Sequence, residues 1–354
     1  MFKPQLIVSW GFFFAQIFKE KKMFTKWFHK FKGRSLTIAM GLSLSLLIGC
    51  SSDKQQSSAL TIGILQTASH PALDRAREGF MQELTEKTHG QVHFVVQNAE
   101  GSIAQARSIA QSFHANSQIN GIFAIATPAA QAAASIEKSK PIFFAAVTDP
   151  VKAGLTQANL CGTTDMIDVQ GEIDMLQAFV PDAKRVAIVF NPAEINAVTI
   201  KDKMTKELEK RGVEVIQLGV SQESEMALAV TSAVKKCDVL LTPTDNTVAL
   251  TLPIIARIAR VHYKPLIVSD NLLVEKGALA SRGVDYFQSG KKAAFLADEV
   301  FSGRKFPKEL RGVGSDKTSV IVNQDVLHEL ELTVPDSWMS EVTFVTDRQQ
   351  RKKG

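Results

Sequence analysis

The chain has 354 residues, 45% of them hydrophobic and 22% charged, a balance that excludes disorder for its bulk and leaves room for two domains. A formal charge of +5 invites a nucleic-acid or membrane-surface reading, but residues 1–49 hold eight Lys/Arg against one acid, Glu20, and the remaining 33 of 41 bases and 35 of 36 acids leave −2 from Cys50 onward. Beyond a terminal cluster, Arg348, Arg351, Lys352 and Lys353, nothing offers a phosphate-backbone surface, so no nucleic-acid partner is expected.

Taken in chain order, the first feature is a leader. Lys26, Lys30, Lys32 and Arg34 precede an apolar run from Leu36 to Ile48, interrupted by Ser43 and Ser45 and too short to span a bilayer, which is the pattern of a secretion signal. Leu47-Ile48-Gly49-Cys50 resembles a bacterial lipobox, which implies cleavage ahead of Cys50 and diacylglycerol on its thiol. Residues 1–49 are therefore expected to be a signal peptide and residues 50–59 a lipidated, polar tether that holds the body to the outer face of a bacterial cell membrane. A second apolar stretch and the Lys19–Lys22 cluster stand ahead of Met23, and a start at Met23 gives the signal normal proportions.

From Leu60 short apolar or β-branched runs alternate with amphipathic stretches, the signature of βαβ units and a parallel sheet. The runs predict strands at Leu60–Gln66, Val92–Gln97, Gly121–Ala126, Ile142–Val147, Val186–Phe190, Val213–Leu218, Val239–Thr242, Leu266–Ser269, Ala278–Ser281 and Ser319–Val322. Helices are predicted at Pro71–Thr88, Ile103–Ala115, Ala129–Lys138, Ala197–Arg211, Glu223–Lys235, Thr247–Val261 and Ser289–Phe301. Ten strands exceed one compact sheet of ordinary size, and the series pauses at Asn159–Asp168, so two similar α/β lobes are expected. Cys161 and Cys237 lack metal-type spacing and read as buried free thiols in preference to a disulfide, and the seven histidines contain no HxxH or HExxH pair. No metal and no cofactor is expected.

In open α/β sheets ligands bind beyond the carboxyl ends of the strands, which directs attention to the segment after each one. Ala126-Thr127-Pro128-Ala129-Ala130-Gln131 runs from a strand into a helix start suited to a carboxylate, with Thr127 and Ala129 as donors and Gln131 one turn on. The other strand ends present His70, Asp149, Asn196, Asp245, Asn246 and Asp270. Each Thr, Asp and Asn also has a plain reading as a helix cap. Jointly, an anion-type helix start and several carboxylates are what a zwitterion requires. Asp245 is the favoured ammonium partner, with Asp270 and Asp149 as rivals.

His70-Pro71-Ala72-Leu73-Asp74, the 123–131 segment, Phe144-Ala145-Ala146-Val147-Thr148-Asp149-Pro150-Val151, Pro243-Thr244-Asp245-Asn246-Thr247-Val248 and Gly277-Ala278-Leu279-Ala280 resemble, in order, the ABC-transporter substrate-binding family that includes tryptophan- and tyrosine-binding lipoproteins. The likeness covers residues 60 to about 335, with departures at 65–69 and at Tyr286-Phe287-Gln288-Ser289. It implies the type I periplasmic-binding-protein fold: two Rossmann-like lobes, each a parallel sheet flanked by helices, joined by a three-crossover hinge. It also implies the interleaving of the lobes, with 60–163 plus 276–306 as the N-terminal lobe, 164–275 plus 307–337 as the C-terminal lobe, and 338–354 as a tail. The implied protein is a monomeric, non-enzymatic component of an ABC importer that presents a small solute, an aromatic amino acid above all, to permease and ATPase subunits.

Rival readings are a sugar or nucleoside binder, a co-receptor reporting ligand to a membrane sensor, and an enzyme of the same architecture. Sugar sites usually offer stacked aromatics, and Trp10, Trp27 and Trp338 all lie away from predicted strand ends. No GxSxG, GxxxxGK or GxGxxG motif is present to support an enzyme, and Gly312–Thr318 lacks P-loop spacing.

Overall fold

Strand β1 (Leu60–Gln66) is apolar and buried from Ile62 onward, and it pairs in parallel with β2 (Val92–Asn98) on one side and β3 (Gly121–Ile125) on the other. Strands β3 and β4 (Ile142–Val147) are buried along their whole length, as continuous apolar runs must be when helices cover both faces of a parallel sheet. β5 (Leu160–Thr164) completes a five-stranded sheet of order β2-β1-β3-β4-β5. The computed structural model describes residues 59–314 and 318–347; the leader expected of residues 1–49, Cys50, and all but the last residue of the tether expected of residues 50–59 lie outside the described residues.

Side-chain alternation divides this first sheet cleanly. Ile62, Ile64, Phe123, Phe143 and Cys161 point to one face, where α1 (Pro71–Lys87) and α8 (Tyr286–Phe301) cover them. Leu65, Ile122, Ala124, Ile142 and Phe144 point to the other, under α2 (Ile103–Ala115) and α3 (Thr127–Ile136). Pro71 opens α1, where its missing N–H costs nothing.

The second sheet has seven strands in the order β12-β11-β10-β9-β8-β6-β7. In chain order these are β6 (Arg185–Phe190), β7 (Glu214–Gly219), β8 (Val239–Thr242), β9 (Leu266–Val268), β10 (Ala280–Gly283), β11 (Ser319–Asn323) and β12 (Val342–Val345). All pairs are parallel except β10 with β11. Helices α4 (Val169–Phe179) and α5 (Ile195–Lys210) pack one face, α6 (Glu223–Ala233) and α7 (Asn246–Val261) the other, and α9 (Gln324–Glu329) follows β11. Cys161 and Cys237 are both free and buried, one in each lobe's core.

The structure moves several expected boundaries. The interval read as a pause contains β5, which is short and carries Gly162 and two threonines in place of a β-branched apolar run. It is followed by α4, whose apolar stripe is broken by Gly171 and the buried Glu172. The return to the first lobe comes after Gly283, not at residue 276, because β10 hydrogen-bonds to β9 and belongs to the second sheet. Residues just beyond 306 stay with the first lobe: Leu310 and Val313 pack against its core, and Val313 bridges to Thr163. The expected tail contributes β12, paired in parallel with β11. Three passages therefore link the lobes, at residues 165–168, 284–285 and between α8 and β11.

Helix α8 is the element that returns, and it docks on α1 at backbone distance. A Cβ on Gly290 would lie 2.0 Å from the Ala76 carbonyl oxygen, and one on Gly79 would lie 2.1 Å from that of Phe287. Gly290→Val should accordingly push the helices apart and cost on the order of 1–3 kcal/mol of stability by overpacking. Denaturant unfolding measures this; an unchanged midpoint would show that the contact is dispensable.

Candidate functional site

The carboxyl ends of both sheets face each other, and the loops leaving them meet in a cleft. Two side-chain contacts close it: His70 Nε2 lies 3.2 Å from Asn246 Oδ1, and Thr148 Oγ1 lies 3.4 Å from Thr244 Oγ1. His70 is the N-cap residue of α1, yet its side chain makes no cap bond, which leaves the imidazole to reach the opposite lobe. Behind these contacts is an inner chamber of about 30 Å³, lined among others by His70, Asp165, Asn196, Asp245, Asp270 and Tyr286. In front lies an outer cleft of about 710 Å³ with both apolar (Ile103, Pro128, Leu250) and polar (Arg107, Gln131, Glu223) walls.

The inner chamber is floored by strained backbone. Ala126 and Ala146, at the ends of β3 and β4, have φ of +75° and +57°, in a region that alanine seldom occupies and that concentrates at ligand sites. Ala126 is the N-cap of α3 and carries no capping side chain. Thr67 supplies part of what is missing: its Oγ1 accepts from Ala129 N–H at 3.1 Å. Thr127, first in the helix, keeps a buried hydroxyl without a hydrogen-bond partner.

Carboxyls dominate the charge balance, for the chamber lining contains no Lys or Arg. Asp165 accepts from Thr148 Oγ1 at 2.8 Å and from Tyr286 OH at 3.1 Å, drawing together β4, the first passage and the start of α8. Burial pushes its carboxyl above the usual range, and pushes the Tyr286 phenol up as well. Asp270 accepts from Leu272 N–H through Oδ1 alone, and burial, aided by the Asp165 charge, pushes it up to about 7. Asp245 is more heavily engaged: Oδ1 accepts from Val248 N–H at 2.9 Å and Oδ2 from Asn191 N–H at 2.6 Å. Burial and the neighbouring Glu194 push it well up.

Of the residues singled out from sequence, His70, Asn196, Asp245, Asn246 and Asp270 line the inner chamber. Gln131 lines the outer cleft and donates to the Ala153 carbonyl. Thr127 and Ala129 stand at the start of α3, but the Ala129 N–H is already given to Thr67. Asp149 is not brought to either space; it accepts from Lys152 N–H in the turn after β4. Asp165 was missed because β5, whose end it marks, was not read as a strand. Glu194, the N-cap residue of α5 two positions before Asn196, carries no sequence signal that separates it from an ordinary helix cap. Among the described residues no cluster of His, Cys, Asp or Glu has the makings of a metal site, and no helix is long and apolar enough to cross a membrane.

A tyrosine-binding protein from Clostridioides difficile is 34% identical over 318 residues, covering 84% of this chain and 92% of that protein. The ABC domain from Streptococcus pneumoniae solved in complex with L-Trp superposes with a TM-score of 0.78 at 29% identity, covering 81% of this chain and all of that one. A ligand-free, open substrate-binding protein with adhesive properties from Clostridium difficile gives 0.62 at 34% identity, over 82% of this chain and all of that one. Residues 61–345 match the ABC transporter substrate binding protein family, and with nearly the whole described body inside that match the chain belongs to this family of transporter-associated binding proteins.

Proposed function

We propose that the chain captures an amino acid, of the aromatic class, between its lobes and delivers it to an ABC importer while tethered to the membrane through lipid on Cys50. The observation that carries this reading is the pairing of a carboxyl-rich inner chamber, free of basic side chains, with the uncapped start of α3 beside it. The ligand carboxylate meets Thr127 and the positive end of α3. Its ammonium meets Asp270, whose Oδ2 accepts no protein hydrogen bond, with Asp165 adjacent; Asp245 is held to its capping duty. The outer cleft, with its apolar wall, takes the aromatic side chain. Relatives that bind tyrosine or hold L-Trp support the choice of ligand class.

Capture requires movement. A chamber of about 30 Å³ has room for a few waters at most, so an amino acid enters only when the lobes part. The chain superposes more fully on the L-Trp complex than on the open, ligand-free relative, although the latter shares more sequence. This supports closure of the lobes around ligand.

In calorimetric titrations with L-tryptophan and L-tyrosine, Asp270→Asn should cost on the order of 2–5 kcal/mol of binding, whereas Asp245→Asn, which keeps the Val248 cap but turns an NH2 toward the Asn191 N–H, should lower stability and leave affinity near normal; the reverse ranking of affinities would return the ammonium to Asp245. Since burial favours neutral Asp270 in the fold, the unliganded protein should lose stability as pH rises from the ordinary aspartate range to about 7, while affinity for the ammonium climbs over the same interval; a flat affinity profile would count against an Asp270 contact. Small-angle scattering should show a smaller radius of gyration at saturating ligand, and an identical profile would sink the hinge mechanism. As for anchoring, Cys50→Ala should abolish incorporation of labelled palmitate in cells, and persistent labelling would refute lipid attachment at this residue.

A further inference from the structure

Two buried side chains on the inner chamber have hydrogen-bonding capacity that the protein leaves unused: His70 Nδ1 and Asn196 Oδ1, on residues only 8% and 6% exposed. They come from opposite lobes, and both are tied to Glu194, which does not line the chamber. Glu194 Oε2 accepts from Asn246 N–H at 3.1 Å, from Asn246 Nδ2 at 2.6 Å and from Asn196 Nδ2 at 3.2 Å. Glu194 Oε1 accepts from Thr247 N–H and Oγ1.

A carboxylate oxygen only accepts, so it fixes which end of each amide faces it. Asn246 must turn Nδ2 to Glu194 and Oδ1 to His70. Asn196 turns Nδ2 to Glu194 and to the Thr244 carbonyl at 3.0 Å, which leaves Oδ1, on a residue that lines the chamber, buried and without a protein partner. His70 then has an acceptor, Asn246 Oδ1, opposite Nε2, so Nε2 carries the proton and Nδ1 is a bare lone pair. Burial lowers the His70 pKa, against the opposing effects of Asn246, Glu194 and Asp74, so the neutral ring with a single N–H is favoured.

We infer that Glu194 is a positioning residue that sets the hydrogen-bond polarity of the chamber, orienting Asn246 and Asn196 so that His70 Nδ1 and Asn196 Oδ1 both accept from the amine of the ligand. The choice of an amine rests on the amino-acid reading above; the orientation of the groups does not. Because the His70–Asn246 contact spans the lobes, the acceptor pair is complete only when they close. Selection for a protonated amine over a molecule of the same shape without one is therefore made in the closed form.

The test joins a spectroscopic and a binding measurement on the mature protein. Long-range nitrogen–proton NMR on protein with isotope-labelled histidine should show His70 protonated at Nε2, with the Nδ1 signal moving when L-tryptophan binds and staying in place with indolepropionate. Glu194→Ala should leave His70 a mixture of tautomers and lower the preference for L-tryptophan over indolepropionate by roughly 10- to 100-fold, the size expected for buried acceptors left unmatched. Glu194→Gln keeps an oxygen for the Asn246 donors and should rescue the Nε2–H tautomer. A proton on Nδ1 in the unmodified protein overturns the inference, even if Glu194→Ala fails to fold. So does a folded Glu194→Ala protein with unaltered tautomer and unaltered preference. If neither compound binds, the amino-acid reading fails, and the tautomer alone decides the polarity.

Discussion

Everything at the centre of this molecule answers to one electrostatic constraint: several carboxyl groups are withdrawn from water between two lobes, with no basic side chain among them. A buried charge without a partner is too costly to persist, so each group has to be neutral, saturated with donors, or matched by a cation from outside. All three solutions are visible. Glu172, which accepts from Ser269 Oγ behind the chamber, is pushed up to about 8 by burial and stays protonated at neutral pH. Glu194 is saturated with donors, and Asp245, although both its oxygens accept N–H groups, is pushed toward its neutral form by burial and by Glu194. Asp270, with one oxygen free of donors among the described residues, is the group that the proposed reading gives to an external charge.

That division also explains how closely related side chains come to do different work. Helix α7 begins against two carboxyls, Asp245 on Val248 N–H and Glu194 on Asn246 and Thr247 N–H, so its positive end is consumed internally. Helix α3 begins with an alanine cap and a proline, and with the Ala129 N–H taken by Thr67 Oγ1 what it leaves unmatched is the Thr127 hydroxyl. On the proposed reading, the carboxylate of a zwitterion goes to the first lobe because the two lobes treat their helix starts differently.

Much of this architecture was legible in the sequence where the local signal and the tertiary role coincide. Buried parallel strands such as Gly121–Ile125 and Ile142–Val147 are unbroken apolar runs, and the helix after Pro71 announces itself by its proline and its spacing. Legibility failed where a residue serves the interior in a way that hides its element. Gly162 and Thr163 make β5 look like loop, because Gly162 admits the Phe144 backbone and Thr163 Oγ1 bonds Ser289 Oγ at 2.7 Å. Buried Glu172 interrupts the apolar face of α4. The strand-end rule located His70, Asn196, Asn246 and Asp270 in the chamber. It could not tell Asp245 from Asp270, since both sit at a helix start and only the donors around each oxygen separate a committed cap from an available one.

The strand order carries a consequence for how the protein is made. β10 is the last strand of the second sheet to emerge before the chain leaves for α8, and its free edge is covered only when β11 arrives, after α8 has been laid on the first lobe. β12, at residues 342–345, then shields β11. A chain growing from its N-terminus therefore holds an unpaired hydrogen-bonding edge until β11 and β12 are available, and such an edge templates association with other chains. Loss of β11 and β12 would strike the edge of the larger sheet, whereas loss of β1 would remove an interior strand of the five-stranded one.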